Sequence, residues 1–277
     1  MDIKVGLYTD SVHFCHRASN TKNTEYILHC HNFFEVFYFI QGNISYLVEG
    51  KQYTPTPHSI LIMSPNVFHG VKTNSDAIYE RFALHFLPNV FSLENRVLLL
   101  SPFSKPSCKG DIYYENVNAF KMKCYFENLL DCRDMSSDIK EVATKFRVEA
   151  LLSQILFMSR TKKGSSCEVV TLPVINNIIT YLNDHLTETI TLDNISNKFF
   201  ISKHHLNKVF RKAIGTTVGD YIIHKRVVLA YNLIMQGQSA SLASNNAGFH
   251  DYSSFYRAFK KNTGHSPTSK ISGELLL

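Results

Sequence analysis

The clearest periodic pattern in the chain lies between Ala247 and Pro267, which read AGFHDYSSFYRAFKKNTGHSP. Apolar side chains recur there at spacings of three and four residues, and polar and basic side chains recur on the opposite side. The apolar set is Phe255, Ala258 and Phe259, and the polar set is Ser253, Tyr256, Arg257 and Lys260. Asp251 suits an N-cap and Gly264 suits a stop, so the stretch predicts a helix of about three turns.

The same pattern occurs 49 residues earlier, in the stretch SKHHLNKVFRKAIG that begins at Ser202. The aligned positions are Ser202 with Asp251, Leu206 with Phe255, Phe210 with Phe259, Arg211-Lys212 with Lys260-Lys261, and Gly215 with Gly264. The earlier copy predicts a buried side of Leu206, Val209 and Phe210 and an exposed side of His204, Asn207, Lys208 and Arg211. Two copies are too few for a solenoid, which needs at least three units. They predict two equivalent helices that are presented in the same way.

The second copy also carries a recognisable motif. The run Gly248-Phe249-x-Asp251-x-Ser253-x-Phe255-x-Arg257-x-Phe259-Lys260-Lys261-x-x-Gly264-x-Ser266-Pro267 closely resembles the signature of AraC/XylS-type transcription regulators. The resemblance covers about the last hundred residues and implies an all-α domain with two helix-turn-helix units. The chain departs from the family pattern at Ser196, where a small apolar residue is usual, and at Ser244-Asn245-Asn246, which makes the second support helix polar.

The resemblance also implies DNA-contacting residues. Carried over by position, the family's base-reading residues fall on His204, Asn207 and Lys208 in the first helix and on Tyr252, Ser253 and Arg257 in the second. The residue chemistry adds that Arg257 suits a bidentate guanine contact, that Asn207 suits adenine, and that the other cations suit phosphates. The complete predicted set is Lys203, His204, Asn207, Lys208, Arg211, Tyr252, Ser253, Tyr256, Arg257, Lys260 and Lys261.

Between Tyr26 and Phe86 the pattern changes to short apolar or alternating runs separated by turn residues. It predicts strands at about 35–40, 44–48, 59–63 and 79–86, spaced closely enough for a small antiparallel barrel or sandwich. Within this region His29-x-His31-x3-Glu35 and Pro65-x3-His69 resemble the cupin motif pair, although the glycine that usually precedes the first motif is absent. The second motif is degraded at Asn66 and at Pro57-His58.

The four motif residues have two interpretations. Imidazole and carboxylate groups that converge in a barrel suit a divalent transition metal. In sensor domains attached to AraC-type domains, such residues instead line an organic ligand or act structurally. We expect His29, His31, Glu35 and His69 to bind an effector without a cofactor, and these four would be the ligands if a metal were bound. Four isolated histidines are expected at the surface: His13, His16, His185 and His265.

Helical periodicity returns after a polar loop at 101–109. One predicted helix contains Val117, Phe120, Cys124 and Leu129-Leu130, and a second runs from Ile139 to Leu156. In families of this type such a pair forms a dimer interface, and the alternative is that both helices simply cover the barrel. Residues 159–166 (SRTKKGSS) are polar and predict a linker. We therefore predict a cupin-like sensing and dimerisation domain at 1–160, a linker at 161–170 and a DNA-binding domain at 171–277.

Inside the last domain, helices are predicted at about 173–185 and 218–235, with Leu192 and Ile195 on the first support helix and Gly237 as a stop. The helix at 218–235 would be about 27 Å long. That length is close to the ~34 Å between successive major-groove faces on one side of a duplex.

Charge and composition agree with this division. The net charge is +6, and residues 171–277 hold 11 Lys and Arg against 6 Asp and Glu, whereas residues 1–170 hold 18 against 17. The basic excess thus belongs to the segment with the repeated helices, as expected of a nucleic-acid-binding module. No run of about eighteen apolar residues predicts a membrane span, and we expect a cytoplasmic protein. The six scattered cysteines predict reduced thiols.

The sequence therefore predicts an α+β, two-domain transcription regulator: an antiparallel cupin-like barrel with two flanking helices, followed by an all-α domain. Its expected partners are double-stranded promoter DNA, a small-molecule effector such as a sugar or a related metabolite, a second copy of the chain, and RNA polymerase. The competing hypothesis is a metal-dependent cupin enzyme with an appended helical domain, which would depend on His29, His31, Glu35 and His69 alone. A third is a non-DNA interaction protein that uses the helices at 117–156.

Overall fold

The computed structural model describes residues 2–20, 22, 25–103, 112–165, 168–169, 173–263 and 265–269. The chain divides into two compact units, and the main boundary between them lies between Glu168 and Val169. The first unit is built on β-sheets and the second on α-helices, so the predicted α+β class is confirmed. None of the described helices combines the length and the apolar character that crossing a membrane requires.

The described strands form two sheets. They are β1 Asp2–Tyr8, β2 Val12–Ser19, β3 Ile27–His29, β4 Phe34–Gln41, β5 Ile44–Val48, β6 Lys51–Tyr53, β7 Ser59–Met63, β8 His69–Thr73, β9 Tyr79–Phe86, β10 Tyr113–Tyr114 and β11 Glu168–Val169. The first sheet has the order β1-β2-β9-β4-β7-β10 and the second has the order β11-β6-β5-β8-β3. The long neighbouring strands pair antiparallel, as predicted.

The four predicted strands correspond to β4, β5, β7 and β9, and their bounds agree to within one residue. The two hydrogen-bonded ladders are separate, so the described strands do not close into one barrel. Strands β1 and β2 were not predicted. In β2 the buried positions come in runs at both ends rather than in alternation, so a period of two is not visible in its sequence.

Helices of the first unit cover the outer face of the six-stranded sheet. They are α1 Leu93–Leu100, α2 Met122–Asp131 and α3 Ser137–Thr161. The ring of Phe126 on α2 lies 6.0 Å from Phe14, 5.1 Å from Tyr38 and 5.4 Å from Phe82, measured between ring centroids. The helix predicted from Val117 begins later, because Val117–Phe120 is a 3-10 turn and Lys121 then adopts a left-handed φ of 54°.

The predicted linker begins inside a helix. Residues 159–161 are the last turn of α3, and the Ser165 amide donates a 2.8 Å hydrogen bond to the carbonyl oxygen of Tyr113. The Ser165 hydroxyl accepts a hydrogen bond from the Glu115 amide. The described part of this polar segment is therefore held against the first unit, and positions 166–167 and 170–172 lie outside the described residues.

The second unit consists of six described helices in the predicted order. They are α4 Pro173–Asp184, α5 Leu192–Phe199, α6 Lys203–Ile214, α7 Val218–Met235, α8 Ala240–Asn246 and α9 Tyr252–Thr263. Helices α5 and α6 form one helix-turn-helix unit, α8 and α9 form the other, and α7 connects them. Gly215 ends α6 with a φ of 82°, in the left-handed region that favours glycine. Gly264, the predicted stop of α9, lies outside the described residues.

Candidate functional site

Helices α6 and α9 are built alike. Both have twelve residues, and each begins after a side chain that caps the first turn. The Ser202 hydroxyl accepts a hydrogen bond from the His205 amide at 3.3 Å, and an Asp251 carboxylate oxygen accepts one from the Ser254 amide at 2.7 Å. The backbone hydrogen bond from Ser254 lowers the pKa of the Asp251 carboxyl group. Both predicted N-caps are thereby confirmed.

Each of the two helices buries one apolar pair and exposes a polar face. Leu206 and Phe210 of α6 and Phe255 and Phe259 of α9 are all fully buried. Most of the predicted DNA-contacting residues are exposed: Lys203, His204, Lys208, Arg211, Tyr252, Ser253, Tyr256, Arg257, Lys260 and Lys261. Ten predicted side chains therefore lie where a duplex could reach them.

Asn207 is the exception, because it is half-buried rather than exposed as predicted. Its side-chain oxygen accepts a hydrogen bond from the Val218 amide at 3.3 Å. Val218 is the first residue of α7, and the amide groups of a first helical turn have no partner within their own helix. Asn207 therefore supplies an acceptor that the start of α7 requires.

Two basic side chains differ in how strongly they already interact with other residues of the chain. Lys203 at the start of α6 forms an ion pair with Asp193 of α5, with a distance of 2.5 Å between Nζ and Oδ1. The Arg257 guanidinium makes a single hydrogen bond within the described residues, a long one of 3.5 Å to the Ser254 hydroxyl. Arg257 thus keeps most of its five N–H donors available for another acceptor.

The second helix-turn-helix unit has a polar support helix, as its sequence predicted. Ser244 of α8 is 1% exposed, and its hydroxyl makes no hydrogen bond with the described residues. Ala243 and Ala247 are fully buried beside it and pack in the same cluster as Phe255 and Phe259. The helix therefore forms, but with an unpaired polar group in its packed face.

The turn between α8 and α9 depends on Gly248. Its φ is 89°, and a β-carbon at this position would lie 2.8 Å from the backbone of Thr187. Both the left-handed backbone and the close approach exclude larger residues. The turn between the two helices of this unit thus depends on a residue that belongs to the quoted motif.

In the first unit, a buried polar cluster is centred on Glu35 of β4. One carboxylate oxygen of Glu35 lies 2.9 Å from Nε2 of His69 and 3.4 Å from Nε2 of His85. The Tyr46 hydroxyl donates a 3.4 Å hydrogen bond to the other oxygen. Because Tyr46 belongs to the five-stranded sheet, the cluster lies between the two sheets.

The proton count of this cluster follows from its geometry. Nδ1 of His69 lies 2.8 Å from the carbonyl oxygen of Val67, which can only accept, so Nδ1 carries a proton. The other ring nitrogen faces the Glu35 carboxylate. An attractive contact there requires a further proton, either on His69 or on Glu35, or else a cation between them.

Of the four predicted residues, Glu35 and His69 lie together in this cluster, and the structure adds His85. His29 and His31 belong to the segment 28–32, which is part of the second compact unit. His85 was missed because it is paired with Glu35 across β4 and β9, and strand register cannot be read from local spacing.

Of the four isolated histidines expected at the surface, His265 is exposed, and His185 is half-buried beside Glu188. The expectation was wrong for His13 and His16. His13 is buried, and its ring centroid lies 5.0 Å from that of Phe33. His16 is half-buried, and its Nε2 lies 2.8 Å from a carboxylate oxygen of Glu80. Both lie on β2, the strand that the sequence pattern did not predict.

Comparison with known families gives two matches, one in each unit. Residues 11–103 match the AraC-like ligand binding domain, and residues 195–270 match the helix-turn-helix domain. The first match contains the Glu35 cluster and most of both sheets. The second contains α6 to α9 with every predicted DNA-contacting residue.

Individual relatives agree with the two matches. PqrA of Proteus vulgaris, a probable transcription factor, is 32% identical over 97 residues, which are 34% of this chain and 80% of PqrA. The transcriptional activator RhaS of Klebsiella pneumoniae is 22% identical over 86% of this chain and 85% of RhaS. LumQ of Photobacterium leiognathi, a probable transcriptional regulator, is 30% identical over 44% of this chain, and the match spans only about half of LumQ, 47% of its length.

Proposed function

Because the chain belongs to the AraC family of transcription regulators, we propose that it binds promoter DNA through α6 and α9 and changes transcription when a small molecule binds between its N-terminal sheets. The observation that carries the proposal is the pair of equally capped helices with exposed basic faces. A chromosomal regulator of this kind acts in the cytoplasm and has no enzymatic step. RNA polymerase is a partner proposed from the family resemblance alone.

The exposed side chains fall into two roles. Lys208, Arg211, Lys260 and Lys261 would neutralise phosphates and supply most of the affinity, which makes binding depend on salt. Base discrimination would come from side chains that reach the groove floor, with Arg257 best suited to guanine O6 and N7. His204, Tyr252 and Ser253 are the further candidates for base contacts.

If both helices dock, one chain contacts two consecutive major grooves on the same face of the duplex. Its binding site should then be a non-palindromic stretch of roughly 15 to 20 base pairs with two short blocks about one turn apart. Footprinting of the full chain on DNA upstream of its own gene and of the neighbouring genes tests this. Protection of two blocks is expected. Protection of one groove would contradict two-groove binding, and no preference for any fragment would contradict the proposed function.

We also propose that two copies associate through α3. One side of this helix is buried, with Val148, Leu151 and Ile155 among its core residues. The opposite side exposes large apolar residues at helical spacing, Ile139, Val142, Phe146 and Phe157, and Phe146 is 67% exposed. Exposed large apolar side chains that share one side of a helix are typical of a protein interface. Association of two copies would bring two pairs of recognition helices to one promoter.

Sedimentation of the full chain tests the dimer. Phe146→Glu places a charge in the apolar row. At protein concentrations of about tens of micromolar or below, this variant should sediment as a monomer, as a weakened transient interface does. Asn128→Glu adds the same charge at an exposed position of α2 and should leave the dimer intact. A wild-type monomer, or equal behaviour of the two variants, would exclude this interface.

One observation favours the competing enzyme hypothesis, namely the imidazole and carboxylate groups of Glu35, His69 and His85, which lie together in the first unit. We expect a protein purified without added metal to hold well under one equivalent of transition metal. We also expect His31→Ala to change the response to effector while the fold persists. Stoichiometric iron, manganese, nickel or zinc that is lost in this variant would favour a metal-dependent protein instead.

A further inference from the structure

The middle of helix α7 carries a buried arginine. Arg226 is only 9% exposed, and burial lowers the pKa of its guanidinium group. Its Nε donates a 2.8 Å hydrogen bond to the carbonyl oxygen of Leu186, and its Nη2 donates a 2.6 Å hydrogen bond to that of Glu188. Within the described residues these carbonyl groups are its hydrogen-bond partners, and neither is a carboxylate. Because a buried cation is costly unless it is hydrogen-bonded, the two carbonyl groups hold Arg226 in place.

The two carbonyl groups belong to the α4–α5 loop, residues 185–190. The loop leads directly into Thr191, the N-cap of α5. The Thr191 hydroxyl accepts a hydrogen bond from the Asn194 amide at 3.1 Å, which fixes the start of that helix. Since α5 supports the recognition helix α6, the loop is attached at this end to the first helix-turn-helix unit.

The same loop contacts the second helix-turn-helix unit. A β-carbon on Gly248 would lie 2.8 Å from the backbone of Thr187, so the turn between α8 and α9 lies directly against the loop. The Thr189 hydroxyl and Nε2 of His250 are 3.5 Å apart and make a second contact between these segments. The loop therefore lies against the turn from which the recognition helix α9 begins.

Helix α7 also contacts both helix-turn-helix units, one with each half. Near its start, the ring centroid of Tyr221 lies 5.5 Å from that of Phe210 on α6. Near its end, Tyr231 is buried in one cluster with Phe255 and Phe259 of α9. Arg226 lies between the two halves. The loop thus adds a second connection to the one that α7 provides, and two connections resist a change of orientation that one helix alone would permit.

We propose that Arg226 is a positioning residue: by holding the α4–α5 loop between the two helix-turn-helix units, it determines which spacing of the two DNA blocks the chain accepts. The inference rests on the proposed two-groove binding and adds a determinant of its specificity. Two extra base pairs between the blocks move the second block by about 7 Å and rotate it by roughly 70°. Units held at one orientation cannot follow that displacement, whereas units joined by α7 alone could follow part of it.

Gel shifts of the full chain test the proposal on the footprinted promoter site and on versions with one or two base pairs added or removed between the blocks. The wild-type protein should bind the natural spacing about ten-fold or more tightly than the two-base-pair insertion, because one unit then loses its groove. Arg226→Gln cannot make both hydrogen bonds and should lower this ratio severalfold. Arg226→Lys keeps the charge and one donor group and should retain part of it. Ile223→Ala, at an exposed position of the same helix, should leave the ratio unchanged.

The ratio distinguishes positioning from a general loss of stability. Partial unfolding weakens binding to every spacing by the same factor and leaves the ratio as it was. Circular dichroism establishes which variants are folded, and Arg226→Lys carries the comparison if Arg226→Gln does not fold. The inference is wrong if the wild-type protein binds all spacings equally, or if every folded variant of Arg226 keeps the wild-type ratio.

Hydrogen exchange of the DNA-free protein separates this inference from the proposed function. The Glu188 amide donates a 2.9 Å hydrogen bond to the carbonyl oxygen of His185 within the loop, and it should exchange faster in Arg226→Gln than in the wild-type protein or in Ile223→Ala. Faster exchange in a protein that binds no promoter fragment would contradict the regulator and leave the loop contact standing. Protection of both blocks at every spacing, with unchanged exchange, would contradict the positioning role alone. Protection of a single groove would contradict two-groove binding and the spacing requirement with it.

Discussion

The two recognition helices are equivalent in construction and different in chemistry. Helix α9 exposes Tyr252, Ser253 and Arg257, and Arg257 has almost no competing partner. In α6, Asn207 is already bonded to the start of α7 and Lys203 to Asp193. The repeat therefore fixes the position of each helix. The side-chain groups that remain free on a helix determine what that helix can recognise. We expect α9 to provide most of the base discrimination and α6 mainly to hold the backbone of the duplex.

The largest expected effect comes from Arg257→Ala. Loss of a bidentate base contact should weaken specific binding by about 1–3 kcal/mol and relax the sequence preference in one block of the site. Arg211→Ala removes an exposed arginine from α6 and serves as the matched control. It should weaken binding to all sequences alike. Gel shifts on the wild-type site and on sites altered in either block measure both effects, and equal loss of preference in both variants would contradict the assigned difference.

The next prediction concerns Asn207, for which sequence and structure give different roles. If its main role is to accept from the Val218 amide, Asn207→Ala should lower the free energy of unfolding by about 1 kcal/mol, as loss of a capping side chain does. Asn207→Asp keeps the acceptor and should retain most of the stability. The ratio of specific to non-specific DNA binding should be unchanged in the alanine variant. A reduced ratio with unchanged stability would instead support the predicted contact with adenine.

The second unit was predictable because its determinants are local. The period of the apolar residues, the caps Ser202 and Asp251 and the turn glycines all lie within a few residues of the helix they specify. Exposure followed from the same period, except at Asn207. That side chain meets an amide eleven residues away, in the next helix, and an amphipathic pattern contains no information on such a contact.

The first unit was predictable only in part, because its site depends on pairing between distant strands. Apolar runs predicted β4, β5, β7 and β9, and a motif predicted that Glu35 and His69 face the same site. The role of His85 follows from register, which long-range packing decides. For that reason the sequence indicated a sensor domain but did not place His85 beside Glu35.

A smaller effect is expected at Lys261, whose exposed side chain suits a phosphate contact. Lys261→Ala should weaken binding to every sequence and lower the slope of log K against log salt by about one unit. Lys198→Ala removes a lysine from α5, outside both predicted recognition helices, and should leave the slope nearly unchanged. Titrations at several salt concentrations measure the slope. A change confined to the specific site would mean that Lys261 contacts bases rather than phosphate.

The smallest effect concerns the helix that supports α9. Ser244 has a buried hydroxyl without a hydrogen bond among the described residues, and such a group destabilises the folded state. Ser244→Ala should therefore raise the free energy of unfolding by up to about 1 kcal/mol. Ser241→Ala, at an exposed position of the same helix, controls for the higher helix propensity of alanine and should change stability by less than about 0.5 kcal/mol. Because α8 packs in one cluster with the buried face of α9, a firmer support helix should also sharpen protection of the block that α9 contacts. If Ser244→Ala destabilises the protein, the hydroxyl has a partner, and the polar support helix is then a specific feature of this unit and not a weakness in its packing.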